Sequence, residues 1–556
     1  MRSRRSALID TAWAAGLTAV ILGPLLTGWG FWLFGDMVFV PEQPWKDAWL
    51  GLDGTLPRAV PMDAIVSVLS QVLPGELVQR LLLVGAFMAG GIGAGLFVGR
   101  HGTAPRLAAI TLMLWNPWVY ERLLMGQWAI LAGYLLLPWV ALASLRMRRD
   151  LRRGAPAVAV AMVLSAVCSP SSGVMAALVV VVLGLRRRFA HVAVAAGLIV
   201  VANLSWLLPS LLADASAESG GEVFDAFAAR GESALGTLPS LFSLGGTWKT
   251  SIVPEERTSV VIVLLSCALT VVALLGLVRR PRPRLLALAG ISFLLAALPV
   301  LPGGAALLEA LGDVVPATAL LRDSHRFLAP AILALLPGIA GAVAWARARV
   351  RPGREAMWSV VGLLVLAPVL LLPSLAWGSL GVLGTSTYPD DWQAVADHLD
   401  DHGPGRSIVL PWTGSYRGFD WNDRRAVLDP APRYLPGEVL VDDRIFVDGT
   451  TIPSEDPLVG EVTEALEAED PSSALRELDV RWVVVEKGMP SGEVPVGETA
   501  YDGADLTLVD LGEEVRSEPR RSGSTTLILA GHILVTGMLL GSLFLLGFRP
   551  VRDGVE

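Results

Sequence analysis

Three short stretches hold the polar groups that could do chemistry in this chain. The first is Trp29-Gly30-Phe31-Trp32-Leu33-Phe34-Gly35-Asp36, in which a carboxylate directly follows an apolar block. A carboxylate at such a level is partly desolvated yet still reaches water, the setting a general base needs. Glu42, Asp47, Asp53 and Asp63 follow in the same segment, and the competing reading is an ordinary solvated loop acid. The second stretch runs from Asn116 to Trp128 and packs Glu121, Arg122 and Gln127 between two apolar blocks. Ionisable groups at that depth are costly, so they either pair with each other or serve a site. The third is Leu321-Arg322-Asp323-Ser324-His325-Arg326-Phe327, where two arginines and a histidine need a counter-charge. A phosphate is one candidate, because arginine grips it in a bidentate fork. Acidic loops and lipid headgroups are the others.

These stretches sit between elements that the composition identifies. Of 556 residues, 53% are hydrophobic and 17% charged, where a soluble chain carries about a quarter charged. The apolar residues come in blocks of roughly 20, the length that crosses a hydrocarbon core. The pattern predicts about twelve spans, near 11–34, 77–99, 107–119, 128–145, 155–169, 172–185, 190–213, 258–278, 285–301, 328–346, 356–377 and 523–547. The basic start of the chain is read as leading into an uncleaved first span rather than a signal peptide, because its apolar block is long.

Arginine clusters mark alternate joints: Arg100–Arg106, Arg146–Arg153, Arg186–Arg188, Arg279–Arg284 and Arg347–Arg354. Arg2, Arg4 and Arg5 at one end and Arg549 and Arg552 at the other fall on the same side. The positive-inside rule then puts both termini in the cytoplasm of a multi-pass cell-membrane protein. All three polar stretches fall on the opposite, extracytoplasmic face. The long outer loops are 35–76 and 214–257. Residues 62–73 read as an interfacial amphipathic helix, and residues 234–244 as a second apolar piece that could lie flat.

Residues 378–522 read as a separate extracytoplasmic domain. Segment 381–522 has 30 acidic residues against 12 basic ones, which argues against a nucleic-acid partner. Helices are expected at 390–400 and 458–468, and strands at 406–411, 481–486 and 506–511, a small α/β layer. The chain thus divides into a transmembrane module (1–377), this domain (378–522), and a last span with a cytoplasmic tail (523–556).

No phosphate-binding glycine loop, HExxH, GxSxG or Cys/His cluster occurs. The two cysteines, Cys168 and Cys267, lie apart in apolar blocks and offer no disulfide framework or metal spacing. No cofactor and no metal site is expected.

The order of elements resembles the GT-C superfamily of membrane glycosyltransferases: an acid in a long first outer loop, a second long loop, and a terminal outer domain. NPWVYERLLMGQWAILAGYLLLPW is similar to a stretch of actinobacterial arabinofuranosyltransferase-like proteins and of YfhO-like membrane proteins. LLRDSHRFLAP resembles a later arginine/histidine motif of the same relatives, and YPDDWQAVADHLD, RSIVLPW and LRELDVRWVVVEKG resemble the region after their last spans. The resemblance implies sugar transfer from a polyprenyl-phosphate donor to a cell-envelope glycan or glycolipid acceptor. Asp36 would be the general base, and Arg322, His325 and Arg326 would bind the donor phosphate. Glu42, Glu121, Arg122 and Gln127 would position substrates. The first loop departs from some members in lacking an adjacent acidic pair. Two other function classes remain open: a lipid or glycan transporter or flippase, and a non-catalytic glycan-binding scaffold.

Overall fold

Long apolar runs satisfy their backbone polar groups by becoming helices, and that is what most of this chain does. The computed structural model of the chain describes residues 4–99, 101–214, 221–278, 282–349, 354–403, 405–447, 450–512 and 520–547. Arg2, Arg100, Arg279, Arg280, Arg351, Arg549 and Arg552 of the orienting clusters lie outside the described residues.

Among the described residues, eight helices are long and apolar enough to cross a membrane. They are Gly75–Phe97, Trp128–Arg149, Leu151–Cys168, Phe189–Leu211, Val260–Leu277, Pro283–Val300, Ser324–Arg349 and Thr525–Gly547. A ninth is counted if Glu355–Leu371 and Pro373–Leu380, bent by 69°, form one span. The remaining expected spans are shorter or broken. Pro170–Gly184 is a short apolar helix, and Thr103–Leu114 has 12 residues. The expected block 11–34 splits: a helix covers Arg4–Ile21, a short one Gly23–Thr27, and Phe31–Trp32 is a strand. Pro24 opens the short helix. Beyond it Phe31, Trp32 and Leu33 stay apolar because they are buried in protein.

Ser324–Arg349 is the innermost helix, with 89% of its apolar window buried. Small residues let its neighbour approach. A Cβ on Gly338 would lie 2.1 Å from the Ala273 carbonyl oxygen, and one on Gly276 would lie 2.0 Å from that of Gly338. Close backbone contact of this kind is how helices associate where no hydrophobic force separates lipid from protein.

The outer layer contains a five-stranded mixed sheet ordered Glu498–Asp502, Leu506–Asp510, Val480–Glu486, Arg406–Leu410, Glu438–Leu440. Arg406–Leu410 runs parallel to both of its neighbours. Val480–Glu486 is apolar on both faces, as a covered central strand requires. Helices Asp390–His402 and Pro457–Leu466 fall where the sequence places them. Helix Met62–Ser70 occupies the expected interfacial segment. Its Asp63 takes an ion pair from Arg433 at 3.0 Å, while Ile65 and Val68 stay exposed. The second apolar piece forms the short helix Thr237–Phe242.

A strand pair is among the contacts that join the layers. Strand Phe31–Trp32 pairs antiparallel with Thr385–Ser386. Its other edge is closed by the Gln79 amide, which accepts from Trp32 N at 3.0 Å and donates to Trp32 O at 2.9 Å. Gln79 is fully buried on helix Gly75–Phe97, so this edge has no water to turn to. Replacing Gln79 by Leu should therefore cost about 2 kcal/mol or more by orphaning two backbone groups. A thermal midpoint in lipid nanodiscs equal to wild type would show that the edge is satisfied otherwise.

Candidate functional site

The site begins where two loops cross. Asp36 N donates to Met125 O at 2.9 Å. Gly35 and Gly126 face each other there, both with positive φ, +56° and +73°. A Cβ on Gly126 would stand 2.2 Å from Phe34 O and 2.4 Å from Asp36 N, so only glycine permits the crossing. On its other side the Asp36 loop meets the outer layer: Gly35 N donates to Ala426 O and Leu428 N donates to Gly35 O, both at 2.8 Å. Leu428 pairs with Tyr416, and Val427 with Arg417. This register places the Tyr416 hydroxyl against the carboxylate, donating to Asp36 Oδ1 at 2.5 Å. Arg417 is buried below, with Nε 2.5 Å from Glu486 Oε2 and Nη2 3.0 Å from Asp429 Oδ2. It pins the strand that holds Tyr416.

From Asp36 a chain of hydrogen bonds runs inward. Gln127 Nε2 donates to Asp36 Oδ2 at 3.3 Å, and Gln127 Oε1 accepts from Arg122 Nη1 at 2.6 Å. Arg122 also reaches Asp323 Oδ2 at 2.7 Å and His325 Nδ1 at 2.5 Å. Because Nδ1 accepts from the guanidinium, the imidazole proton lies on Nε2, which donates to Gly245 O at 3.1 Å. Glu121 Oε2 is 3.4 Å from the same nitrogen. Arg122, His325 and Glu121 are all 0% exposed. Asn116 starts this region by capping helix Pro117–Leu124, accepting from Val119 N at 3.2 Å, and Pro117 fits its first turn.

Charge decides what these groups are. Burial, with Glu232 nearby, raises the Glu121 carboxyl well above its ordinary value, against Arg122 and Arg257. Burial thus favours the neutral form of Glu121, while Glu232 accepts from Nε and Nη2 of Arg257. Burial also works against ionisation of Asp323, but Arg122 and Arg326 outweigh it and hold that carboxyl below the usual range.

Nearer the surface the groups are cationic. Lys249 lies 5.9 Å from the Tyr416 ring centre, and the Asp36 charge acts on both Lys249 and Arg326. Burial lowers the Lys249 ammonium and Asp36 opposes it. Arg326 Nε donates to Asp323 at 2.9 Å and keeps 27% exposure. Arg322 pairs with Glu455 at 2.9 Å, and Glu455 also takes Arg58 at 3.1 Å.

The three sequence stretches are thus one connected site. Asp36, Gln127, Arg122, His325 and Glu121 share a network, and Arg326 joins it through Asp323. Arg322 is tied instead to the outer layer, and Glu42 is exposed in its loop outside the network. Tyr416, Lys249 and Arg58 carry no sequence signal as site residues, since none belongs to a local polar motif: Tyr416 and Lys249 lie hundreds of residues from Asp36, and Arg58 is a lone base in the first long loop. Asp323 had a signal, its place inside the arginine/histidine motif, but no role was read for it. Among the described residues no group of three or more His, Cys, Asp or Glu side chains could hold a metal ion. Beyond Asn116, a narrow apolar cleft, about 430 Å³ of atom-free space with its open mouth included, lies between membrane helices, lined by Ser243, Leu269, Leu335 and Leu372 among others.

The fold is that of a polytopic helical membrane protein with a mixed α/β region. It is similar to the cryo-EM structure of arabinofuranosyltransferase AftD from Mycobacteria, with a TM-score of 0.60 at 18% identity over 93% of this chain and 40% of that chain. Two structures of a mutant of that protein give TM-scores of 0.59 and 0.51 at 17% and 15% identity, over 92% and 93% of this chain and 42% of each of theirs. This chain spans about two fifths of the length of the structures it resembles, and at such identity the likeness is one of fold. No protein-family model and no curated protein sequence matches the chain.

Removing Arg122 should leave buried Asp323 with Arg326 alone and cost about 3 kcal/mol. Arg322→Ala, in a part-exposed pair, should cost about 1 kcal/mol or less. Asp323 is depressed in the fold, so its stabilisation is present above the ordinary carboxylate range and is lost only as pH falls through its own lower value. The gap in melting temperature between wild type and Arg122→Ala should therefore persist from pH 7 down to about 4.5. Equal melting temperatures for Arg122→Ala and Arg322→Ala would remove Arg122 as the anchor.

Proposed function

We propose that this protein is a membrane glycosyltransferase of GT-C type, moving a sugar from a polyprenyl-phosphate donor to a cell-envelope glycan or glycolipid acceptor. The observation that carries this reading is a single half-buried carboxylate, Asp36, set among cations at the junction of the helices and the outer layer. The likeness of fold to the arabinofuranosyltransferase AftD from Mycobacteria supports it. In this reading residues 1–377 are the transmembrane module, residues 378–522 an extracytoplasmic domain, and residues 523–556 the last span and tail. Short and broken helices complete about twelve spans, and both termini are cytoplasmic. The arginine-rich joints favour that orientation.

The chemistry balances without a redox partner. Asp36 takes the proton of an acceptor hydroxyl, whose oxygen bonds to the anomeric carbon as the bond from that carbon to the phosphate oxygen breaks. The departing polyprenyl phosphate gains negative charge, which nearby cations stabilise. Arg326, Lys249 and Arg322 keep the exposure needed for that task. His325 is fully enclosed against Arg122, so it serves the phosphate through the position of Arg122 and Asp323 rather than by contact. Gln127 orients Asp36, and Tyr416 donates to it until an acceptor hydroxyl replaces the phenol. Burial and the Asp36 charge both raise the Tyr416 phenol well above its ordinary value, so it stays a donor.

Transfer from a synthetic polyprenyl-phosphoarabinose to a glycan acceptor, assayed in vesicles, should fall about 10²–10⁴-fold in Asp36→Asn, the usual contribution of a general base. Arg326→Gln should raise the donor KM about tenfold and the acceptor KM little. A folded Asp36→Asn protein with the wild-type rate would end the general-base assignment.

A further inference from the structure

The outer layer has a second cavity, distinct from the Asp36 network. It encloses about 410 Å³ of atom-free space, open mouth included, and is lined by Trp392, Phe419, Asp420, Trp421, Lys487 and Asp505 among others. Phe419 and Trp421 stack at 4.8 Å with their planes 21° apart, and Trp421 is half-exposed. Trp392 is fully buried, and its indole N–H has no partner. Buried indoles usually find one. The wall carrying Asp505 is fixed, since its backbone N–H donates to Asp391 Oδ2 at 2.6 Å.

We propose that this cavity binds a neutral saccharide. Stacked aromatic rings meet the C–H face of a sugar ring. Carboxylates accept from its hydroxyls. Charge argues against an anionic ligand. Asp420 and Asp505 line the cavity, while the Lys487 ammonium is already held by Asp502 at 2.6 Å and Gly503 O at 2.5 Å. Arg424, at the rim, pairs with Asp420 at 2.5 Å.

The loop that supplies Trp421 continues to the reaction centre. Asn422 Nδ2 donates to Leu33 O at 3.1 Å, and Val427 bridges to Gly35, the residue before Asp36. The seven residues from Trp421 to Val427 span at most about 22 Å of chain. A short oligosaccharide held in the cavity could thus present its other end toward Asp36. That second role rests on the transferase reading, whereas the binding does not.

The test uses the full chain in lipid nanodiscs, so that no sugar-headed detergent competes. The probes are a linear arabinofuranosyl tetrasaccharide and a linear glucopyranosyl tetrasaccharide, followed by saturation-transfer NMR and calorimetry. At least one should bind saturably, with Trp421→Ala weakening it about tenfold or more and Trp421→Phe about threefold or less. Asp505→Asn should weaken the same probe, and it serves as the test if Trp421→Ala fails to fold. No saturable binding of either probe up to about 10 mM, or equal binding by wild type and both the Trp421→Ala and Asp505→Asn variants, overturns the proposal. Binding without any sugar transfer would retire the transferase reading and leave this one standing, and transfer without binding would do the reverse.

Discussion

Arg122 brings a full positive charge to a place with no water, at 0% exposure, and its neighbours are arranged around that fact. A lone buried ion is costly, and hydrogen bonds to the remaining donors help offset the cost of burying a pair. Asp323 neutralises Arg122, while Gln127 Oε1 and His325 Nδ1 take further donors. Each partner has a consequence. Through Gln127 the orientation of Arg122 reaches Asp36. Through Asp323 it reaches Arg326 at the surface. Through His325 it reaches Gly245 and so the long loop 214–257. One buried cation therefore sets the register of three outer segments that are separate in sequence.

The outer layer completes what the helices begin. Asp36 is gripped from below by the crossing at Gly35 and Gly126 and from above by residues 426–428. Tyr416 reaches it only because the pair Tyr416↔Leu428 is held in register, with Arg417 locked beneath by Glu486 and Asp429. The carboxylate is therefore part of both layers. The loop 419–428 also links it to the aromatic cavity around Trp421, so binding and chemistry would share one piece of backbone.

Much of this was legible in the sequence, for identifiable reasons. Apolar block length reports on the bilayer, and the long helices begin and end within a few residues of the expected positions. The strands Arg406–Leu410 and Val480–Glu486 announced themselves as apolar runs. Asp36, Arg122, Gln127 and His325 stood out because charge in apolar context is expensive. The first span was overdrawn because hydropathy cannot distinguish lipid from a protein interior: Phe31 and Trp32 are buried in a strand pair. Tyr416 and Lys249 were illegible for another reason. Their role comes from strand register and loop crossing between segments hundreds of residues apart, and neither has a local pattern. The joining of three motifs through Asp323 was likewise a fact of packing.

The central claim is that the phosphate of a lipid-linked donor docks beside Asp36. Cryo-EM of the chain in nanodiscs with bound polyprenyl phosphate tests it most directly. The account predicts phosphate density within hydrogen-bond reach of Arg326 or Lys249, facing the Asp36 carboxylate. Phosphate density in the membrane cleft between Asn116 and Ser243, with the Asp36 mouth empty, would contradict it.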